Sequence, residues 1–137
     1  MPLELEKLNK EQKEAVTHGE GPLLIVAGAG TGKTTVVTQR IAYLIDPPSP
    51  KGFDVVKPEE ILALTFTDKA AEEMEERVDK LLPYGYVDLW VSTFHSFCER
   101  VLRDHALDIG LPADFKILDG TSGWLLVYKN FDKFELK

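Results

Sequence analysis

The sequence has little cysteine, no long apolar run and few basic residues. Its 137 residues include one cysteine, Cys98, so no disulfide can form within the chain and nothing indicates an oxidising compartment. The longest apolar run, residues 23–29, is too short to span a bilayer. Acidic side chains stand near the N-terminus where a signal peptide would have its apolar stretch. Together these absences predict a cytoplasmic protein.

Positive charge is scarce, with 16 Lys and Arg against 23 Asp and Glu and a net charge of −7. Taken alone, this balance argues against a nucleic-acid partner. However, six acidic residues lie between Asp68 and Asp79, where apolar side chains recur at helical spacing on the opposite face. We therefore expect much of the negative charge to be the solvated face of one helix.

The remaining composition is that of a globular chain, with 44% apolar residues, 10 Gly and 8 Pro, which excludes collagen and low-complexity disorder. Short apolar runs alternate with segments of helical period, which predicts an α/β fold: a parallel sheet with helices on both faces. The ends of such strands form the usual ligand edge. The predicted strands cover 23–27, 61–66 and 87–91, and the predicted helices cover 8–18, 33–45, 68–82, 93–107 and a stretch from 122 onward.

Residues 27–34 read Ala-Gly-Ala-Gly-Thr-Gly-Lys-Thr between a predicted strand and a predicted helix. Three glycines are expected to adopt positive φ and bring backbone N–H groups to phosphate oxygens, and the helix adds its positive end. Lys33 is predicted to bind the β- and γ-phosphates, and Thr34 to ligate Mg²⁺. The motif departs from the strict pattern in beginning with Ala27, and the alternative is a glycine-rich turn with an incidental lysine. The predicted nucleotide contacts are Ala27, Gly28, Ala29, Gly30, Thr31, Gly32, Lys33, Thr34 and Thr35, with Lys33 and Thr34 also predicted to be catalytic.

Four segments in order resemble superfamily-one DNA helicases of the UvrD/Rep/PcrA type. They are residues 8–16 (LNKEQKEAV), 27–35 (AGAGTGKTT), 63–74 (ALTFTDKAAEEM) and 92–103 (STFHSFCERVLR). The resemblance implies an ATP-dependent enzyme that uses Mg²⁺ and moves on single-stranded DNA, in repair or recombination. It also implies a partial RecA-like ATP-binding domain over residues 1–110 and the start of an inserted helical subdomain over 111–137.

The resemblance assigns adenine recognition to Gln12, whose carboxamide offers the donor and acceptor that adenine N7 and N6 require. From the local sequence alone, Gln12 could instead complete a capping box with Asn9. The resemblance also implies DNA contacts at Phe66, Thr67, Lys69, Thr93 and His95.

Each DNA assignment has a structural alternative. Phe66 continues an apolar strand and could be core, Thr93 could cap a helix, and a lone His such as His95 is often structural. The family often has Asn where this chain has Asp68, which is expected to cap the acidic helix. Two more expectations concern helix faces: Arg40 packs or forms an ion pair, and Cys98 is buried.

The acidic pair that helicases need after an apolar strand is absent. Three segments resemble it superficially, residues 64–68, 86–88 and 115–119, and we reject all three. The chain alone is therefore expected to hydrolyse almost no ATP.

The C-terminal segment contains an aromatic stripe that could mediate self-association. Its members are Trp124, Tyr128, Phe131 and Phe134. Three alternatives stay open: a subunit of an AddA/RecB-type helicase-nuclease, a stand-alone nucleotide-binding or interaction module, and a P-loop kinase or GTPase. A GTPase would need an Asn-Lys-x-Asp guanine reader, and the chain lacks it.

Overall fold

The computed structural model describes residues 5–48, 55–82 and 88–134. It is an α/β structure in which short 3₁₀ turns accompany five helices and two strands within those ranges. The helices are α1 (Lys10–Val16), α2 (Lys33–Ile45), α3 (Asp68–Leu81), α4 (Phe94–Asp104) and α5 (Gly120–Lys129), and the strands are β1 (Leu62–Thr65) and β2 (Trp90–Thr93).

The sheet of the described residues consists of β1 and β2, which run parallel with Leu62 opposite Trp90 and Thr65 opposite Thr93. β1 is one residue shorter at each end than predicted. β2 extends two residues beyond the predicted end at Val91, because Ser92 and Thr93 continue the ladder before α4 begins. The predicted start of this strand at Val87 lies outside the described residues. Parallel strands place their carboxyl ends at one edge, so Phe66 and Phe94 follow neighbouring strand ends.

The predicted strand over residues 23–27 does not pair with any described strand, which corrects the expectation of a strand buried on both faces. Its side chains alternate: Leu24 and Val26 are 86% and 90% exposed, whereas Leu23 and Ile25 are about half as exposed. Leu23 and Ile25 line a cavity of about 410 Å³, which Ile41 of α2 and Leu64 of β1 also line. An apolar run forms a strand only when a neighbour bonds its N–H and C=O groups, and none of the described residues supplies one.

A core of buried apolar side chains lies between α2, α3 and the sheet. Its buried members come from every one of these elements and are Ile41, Ala42, Ala63, Met74, Val78, Leu82 and Leu89. Met74 and Val78 are one turn apart on α3, as the predicted apolar stripe requires. The opposite face carries the carboxylates, with ion pairs Glu73–Arg77 and Glu76–Lys80. The acidic excess is therefore a solvated helix face, as predicted.

Helix α3 is capped by Thr67 and not by Asp68. The Thr67 hydroxyl accepts the Ala70 N–H at 3.2 Å, while Asp68 is the first helical residue. A hydroxyl at the residue before the helix reaches the third N–H of the first turn, which the next side chain along cannot do in helical geometry. Asp68 still contributes a negative charge to the positive end of the helix.

Contacts divide the chain into two compact units, Met1–Cys98 and Glu99–Lys137, so the division falls within α4. In the second unit the Arg103 guanidinium lies 5.0 Å from the centre of the Phe115 ring. Asp119 caps α5, accepting the Ser122 N–H at 2.6 Å, and the Trp124 and Tyr128 rings stack at 5.2 Å. α5 begins two residues earlier than predicted because Asp119 supplies the cap.

Cys98 is exposed and not buried as expected. The neighbouring Phe97 makes an edge-to-face contact with Trp90, with the ring centres 5.8 Å apart. Among the described residues, no helix is long and apolar enough to cross a membrane.

Candidate functional site

The glycine-rich loop turns sharply immediately before α2. Gly30 and Gly32 have φ of +75° and +88°, a region that side chains with a Cβ rarely adopt. A Cβ on Gly32 would also lie 3.0 Å from the Gln12 side-chain nitrogen. Gly28 was expected to share the positive φ and does not. Its carbonyl accepts hydrogen bonds from the Thr31 hydroxyl and the Lys33 ammonium.

The Lys33 side chain folds back over the loop. Its ammonium donates to the carbonyl of Ala27 at 3.0 Å and to the carbonyl of Gly28, which also accepts the Thr31 hydroxyl at 2.8 Å. Lys33 is exposed, so a ligand can reach the ammonium without unfolding the loop. Because phosphate oxygens are charged, they bind an ammonium more strongly than neutral carbonyls do.

The first turn of α2 presents Thr34 and Thr35 to solvent beside Lys33. The first N–H groups of a helix have no intrahelical acceptor, and the helix dipole places positive charge there. This 13-residue helix carries no acidic residue in its first turn and no side-chain cap. An anion can therefore approach the N-terminal turn without meeting a competing carboxylate.

The hydroxyl of Thr34, in the exposed first turn of α2, is a side-chain oxygen that a divalent cation could bind. Among the residues that the structure describes, no group of three or more His, Cys, Asp or Glu could hold a metal ion. Mg²⁺ usually keeps several waters and combines one or two protein oxygens with phosphate oxygens. The residues present therefore fit Mg²⁺ bound together with a nucleotide better than the metal alone.

Gln12 joins α1 to the loop. Its carbonyl oxygen accepts the Asn9 N–H at 3.1 Å and the Asn9 side chain accepts the Gln12 N–H at 2.8 Å, so the predicted capping box is present. Its amide nitrogen donates to the Thr31 carbonyl at 3.0 Å, an interaction that the sequence did not suggest. A carboxamide has two N–H donors and two acceptor lone pairs. One donor and one acceptor remain, so capping and base recognition by Gln12 are compatible.

A cavity of about 180 Å³ lies between α1 and the loop. Its lining includes Gln12, Ile25, Ala27, Thr31 and Lys33. It is smaller than the roughly 300–1,000 Å³ of typical ligand pockets. It can therefore enclose part of a nucleotide, with an apolar wall at Ile25 and polar groups at Gln12 and Lys33.

Arg40 ties the other end of α1 to α2. Its guanidinium donates to the carbonyl of Val16 at 2.7 Å and to that of Gly19 at 3.3 Å. The side chain was expected to pack or to form an ion pair, and it bonds backbone carbonyls instead. Partial burial disfavours the charged form and lowers the pKa of Arg40, although an arginine stays protonated at neutral pH.

The predicted nucleic-acid residues differ in accessibility. Phe66 is 91% exposed, so the interpretation as core is wrong. Lys69 and His95 are also exposed. The Thr67 hydroxyl is used for capping α3. Thr93 is 6% exposed, its hydroxyl lies 2.9 Å from that of Ser96 and accepts the Ser96 N–H at 3.3 Å, so it has the structural role of a cap. A DNA contact by Thr93 stays a prediction.

One aromatic residue was missed. Phe94 is 56% exposed and follows β2 as Phe66 follows β1. Its position directly after a predicted apolar strand, within the Thr-Phe-His-Ser segment, is the signal that could have identified it. Two exposed rings thus follow adjacent strand ends.

The structure is an α/β unit with a parallel sheet, in which a glycine-rich loop leads into a helix. Many nucleotide-binding proteins have this arrangement, and it defines the class to which the chain belongs. A family model described as the UvrD/REP helicase N-terminal domain matches residues 8–136. The chain therefore belongs to the UvrD/REP helicase N-terminal domain family.

Relatives with assigned names support the same family. The chain is 53% identical over 117 residues, 85% of its length, to the ATP-dependent DNA helicase PcrA of Staphylococcus aureus strain Mu50. It is 51% identical over the same length to the protein of that name from Staphylococcus epidermidis strain RP62A. These matches cover 15% of each relative, so the chain spans about one seventh of the length of the relatives it matches.

Proposed function

We propose that the chain is the ATP-binding N-terminal part of an ATP-dependent DNA helicase with a RecA-like domain, which moves on single-stranded DNA and unwinds duplex in repair or recombination. The observation that carries this proposal is the exposed Lys33 ammonium in the glycine-rich loop at the uncapped start of α2. Family membership supports the same conclusion.

In this proposal the loop binds the triphosphate of ATP. Backbone N–H groups of the loop and of the first turn of α2 donate to phosphate oxygens, and the Lys33 ammonium leaves its two carbonyl acceptors for the β- and γ-phosphates. The Thr34 hydroxyl would hold Mg²⁺, which neutralises charge on the phosphates when bound. The side chains of Ala27 and Ala29 are small enough to let the loop approach the phosphates.

Adenine would be bound by Gln12. The amide N–H and the carbonyl lone pair that the structure leaves over match adenine N7 and the N6 amine. Guanine carries an oxygen acceptor at the position of that amine, so a carbonyl oxygen facing it would be repelled. This supports a preference for ATP over GTP.

Hydrolysis would require groups that the chain does not supply. Asp119, in one of the sequences that resemble an acidic motif, caps the exposed start of α5, and the residues before it form no strand. The cavity beside Leu23, Ile25 and β1 is lined mainly by apolar side chains, including Ile41 of α2, with Arg40 also in its wall. We propose that a further apolar strand of the longer protein fills this space and carries the acidic pair at its carboxyl end. The chain alone would then bind nucleotide without efficient hydrolysis.

Single-stranded DNA would cross the edge where β1 and β2 end. Phe66 offers a ring for stacking on a base, with Phe94 after the neighbouring strand, and Lys69 and His95 offer contacts to phosphates. Thr67 and Thr93 would act there mainly by fixing the starts of α3 and α4. These contacts are local, so they need no basic surface overall.

The binding of Mg·ATP to the chain, measured by calorimetry, tests the proposal. We expect Lys33→Ala to reduce the affinity roughly 10–150-fold, since hydrogen bonds to charged groups contribute about 1.5–3 kcal/mol. Lys80→Ala removes an exposed lysine that pairs with Glu76 on α3 and serves as the control. Equal affinity of the Lys33→Ala variant and the unaltered chain would contradict the proposal.

Other parts of the proposal concern the whole protein. We propose a cytoplasmic location, a partial RecA-like domain over residues 1–110, the start of a helical subdomain over 111–137, and self-association through the aromatic stripe. The helicase-nuclease type and the stand-alone module remain alternatives. DNA-stimulated ATP turnover by the chain itself would favour an independent enzyme.

A further inference from the structure

Helix α1 has only seven residues. Helices this short are not stable alone in water, because nucleation costs more than a few hydrogen bonds return. Its position must therefore come from contacts with the rest of the unit. Side-chain hydrogen bonds hold α1 near each end. Near its start, Gln12 donates to the loop carbonyl of Thr31, and near its end Arg40 of α2 donates to carbonyls at and beyond the C-terminus of α1.

The hydrogen bonds of Arg40 connect α1 to α2, the helix that begins at the glycine-rich loop. Lys33 and Arg40 are seven residues apart on α2, so they lie within about 20° of the same face and about 10.5 Å apart along the axis. Val16, whose carbonyl accepts from Arg40, has no exposed surface and lies one turn after Gln12. A shift of α1 relative to α2 would thus move Gln12 relative to Lys33.

We propose that Arg40 is a positioning residue for base specificity. It holds α1 against α2 so that the free donor and acceptor of Gln12 stand at a fixed distance from the phosphate-binding groups. Arg40 does not itself contact the nucleotide. The inference rests on the proposed function, since it assumes that Gln12 faces the base while the loop binds the phosphates.

Arginine suits this position because two of its nitrogens reach two different carbonyls, of Val16 and Gly19, at the same time. A lysine has a single nitrogen at the end of a flexible stem and cannot reproduce this fixed fork. Arg40→Lys therefore keeps the charge and most of the apolar stem while weakening these hydrogen bonds.

The experiment compares the affinities of the chain for Mg·ATP, Mg·GTP and Mg·tripolyphosphate, which has the phosphates without a base. For Arg40→Lys we expect about a tenfold loss for ATP, the scale of one lost hydrogen bond. The affinity for tripolyphosphate should stay unchanged and the preference for ATP over GTP should fall. Arg77→Lys is the matched control, because Arg77 forms an exposed ion pair with Glu73 on α3.

A double-mutant cycle with Gln12→Ala separates positioning from general destabilisation. If Arg40 acts through Gln12, adding Arg40→Lys to Gln12→Ala should not change the ratio of ATP to tripolyphosphate affinity any further. Parallel loss of ATP and tripolyphosphate binding in Arg40→Lys would show a merely structural role and overturn the inference. So would an unchanged ATP preference. Failure of the proposed function looks different, because the unaltered chain would then bind neither ATP nor tripolyphosphate.

Discussion

A single side chain can have a structural role and still offer groups to a ligand, and Gln12 is the clearest example in this chain. Its carboxamide completes a capping box and contacts the loop, yet one donor and one acceptor remain for a ligand. Phe66 is the opposite case, because its ring is almost fully exposed and nothing in the core depends on it. An exposed ring adds little to the stability of the fold, but its face is accessible for stacking on a base.

The exposure of Phe66 leads to a prediction at this scale. We expect Phe66→Ala to weaken binding of a single-stranded oligonucleotide by about 1–3 kcal/mol, the range for stacking of a base on an aromatic ring. The free energy of unfolding should change by no more than about 0.5 kcal/mol, because the ring is exposed. Fluorescence anisotropy and urea denaturation measure the two quantities.

Phe131→Ala is the control, since Phe131 is also more than half exposed but belongs to the second compact unit. Oligonucleotide binding should survive that change. An equal loss of binding in both variants, or none in Phe66→Ala, would contradict a DNA contact at Phe66.

The elements follow from local chemistry, and their caps show how. Asn9, Thr67 and Asp119 each accept an N–H of the helix turn that follows them. In α5 the acceptor is a carboxylate. The hydrogen bond from the Ser122 backbone stabilises its ionised form and lowers the pKa of Asp119.

This pKa shift gives a pH dependence for the start of α5. Because the pKa is lower in the folded chain, the contribution to stability is present above the unfolded value, near 4, and disappears as pH falls through the folded value. We expect the Ser122 amide to lose protection from hydrogen exchange, measured by NMR, as the pH is lowered below about 4.

Asp119→Asn tests the cause, because Asn also caps helices well and does not titrate. In that variant the protection of the Ser122 amide should be insensitive to the same acidification. If both proteins lose protection at the same pH, the carboxylate of Asp119 is not the titrating group.

At the scale of the whole molecule, the described residues leave many apolar side chains exposed, among them two groups that a partner could cover. One is the run of residues 23–27, which the proposed further strand would cover. The other is the predicted aromatic stripe of Trp124, Tyr128, Phe131 and Phe134, each more than half exposed. Only Trp124 and Tyr128 share a face of α5, because the helix ends at Lys129 and Phe131 and Phe134 lie beyond it. Exposed apolar patches of this kind mark interaction surfaces.

We therefore predict concentration-dependent self-association of the chain, reduced by the double substitution Trp124→Ser and Tyr128→Ser, which removes the stacked pair. Sedimentation velocity over a range of protein concentrations measures the effect. Leu107→Ser removes an exposed apolar side chain outside the stripe and is the control. A chain that stays monomeric at high concentration, or a double variant that associates unchanged, would contradict the prediction.

The sequence alone determined the features that depend on neighbours within a few residues. α2 begins and ends where its pattern predicted, the capping box of Asn9 and Gln12 is present, and α3 presents its acidic face to solvent. Spacing along the chain decides these features because helix hydrogen bonds and caps join residues three or four apart. The motifs also identified the family that the comparison confirmed.

Only the tertiary structure decided the features that join distant residues. The bonds from Arg40 to Val16 and from Gln12 to Thr31 span 24 and 19 residues. Whether Phe66 and Cys98 are buried, and whether residues 23–27 find a strand partner, likewise depends on what packs beside them. Apolar character states what a segment gains by burial, but only the arrangement of its neighbours determines whether that burial occurs.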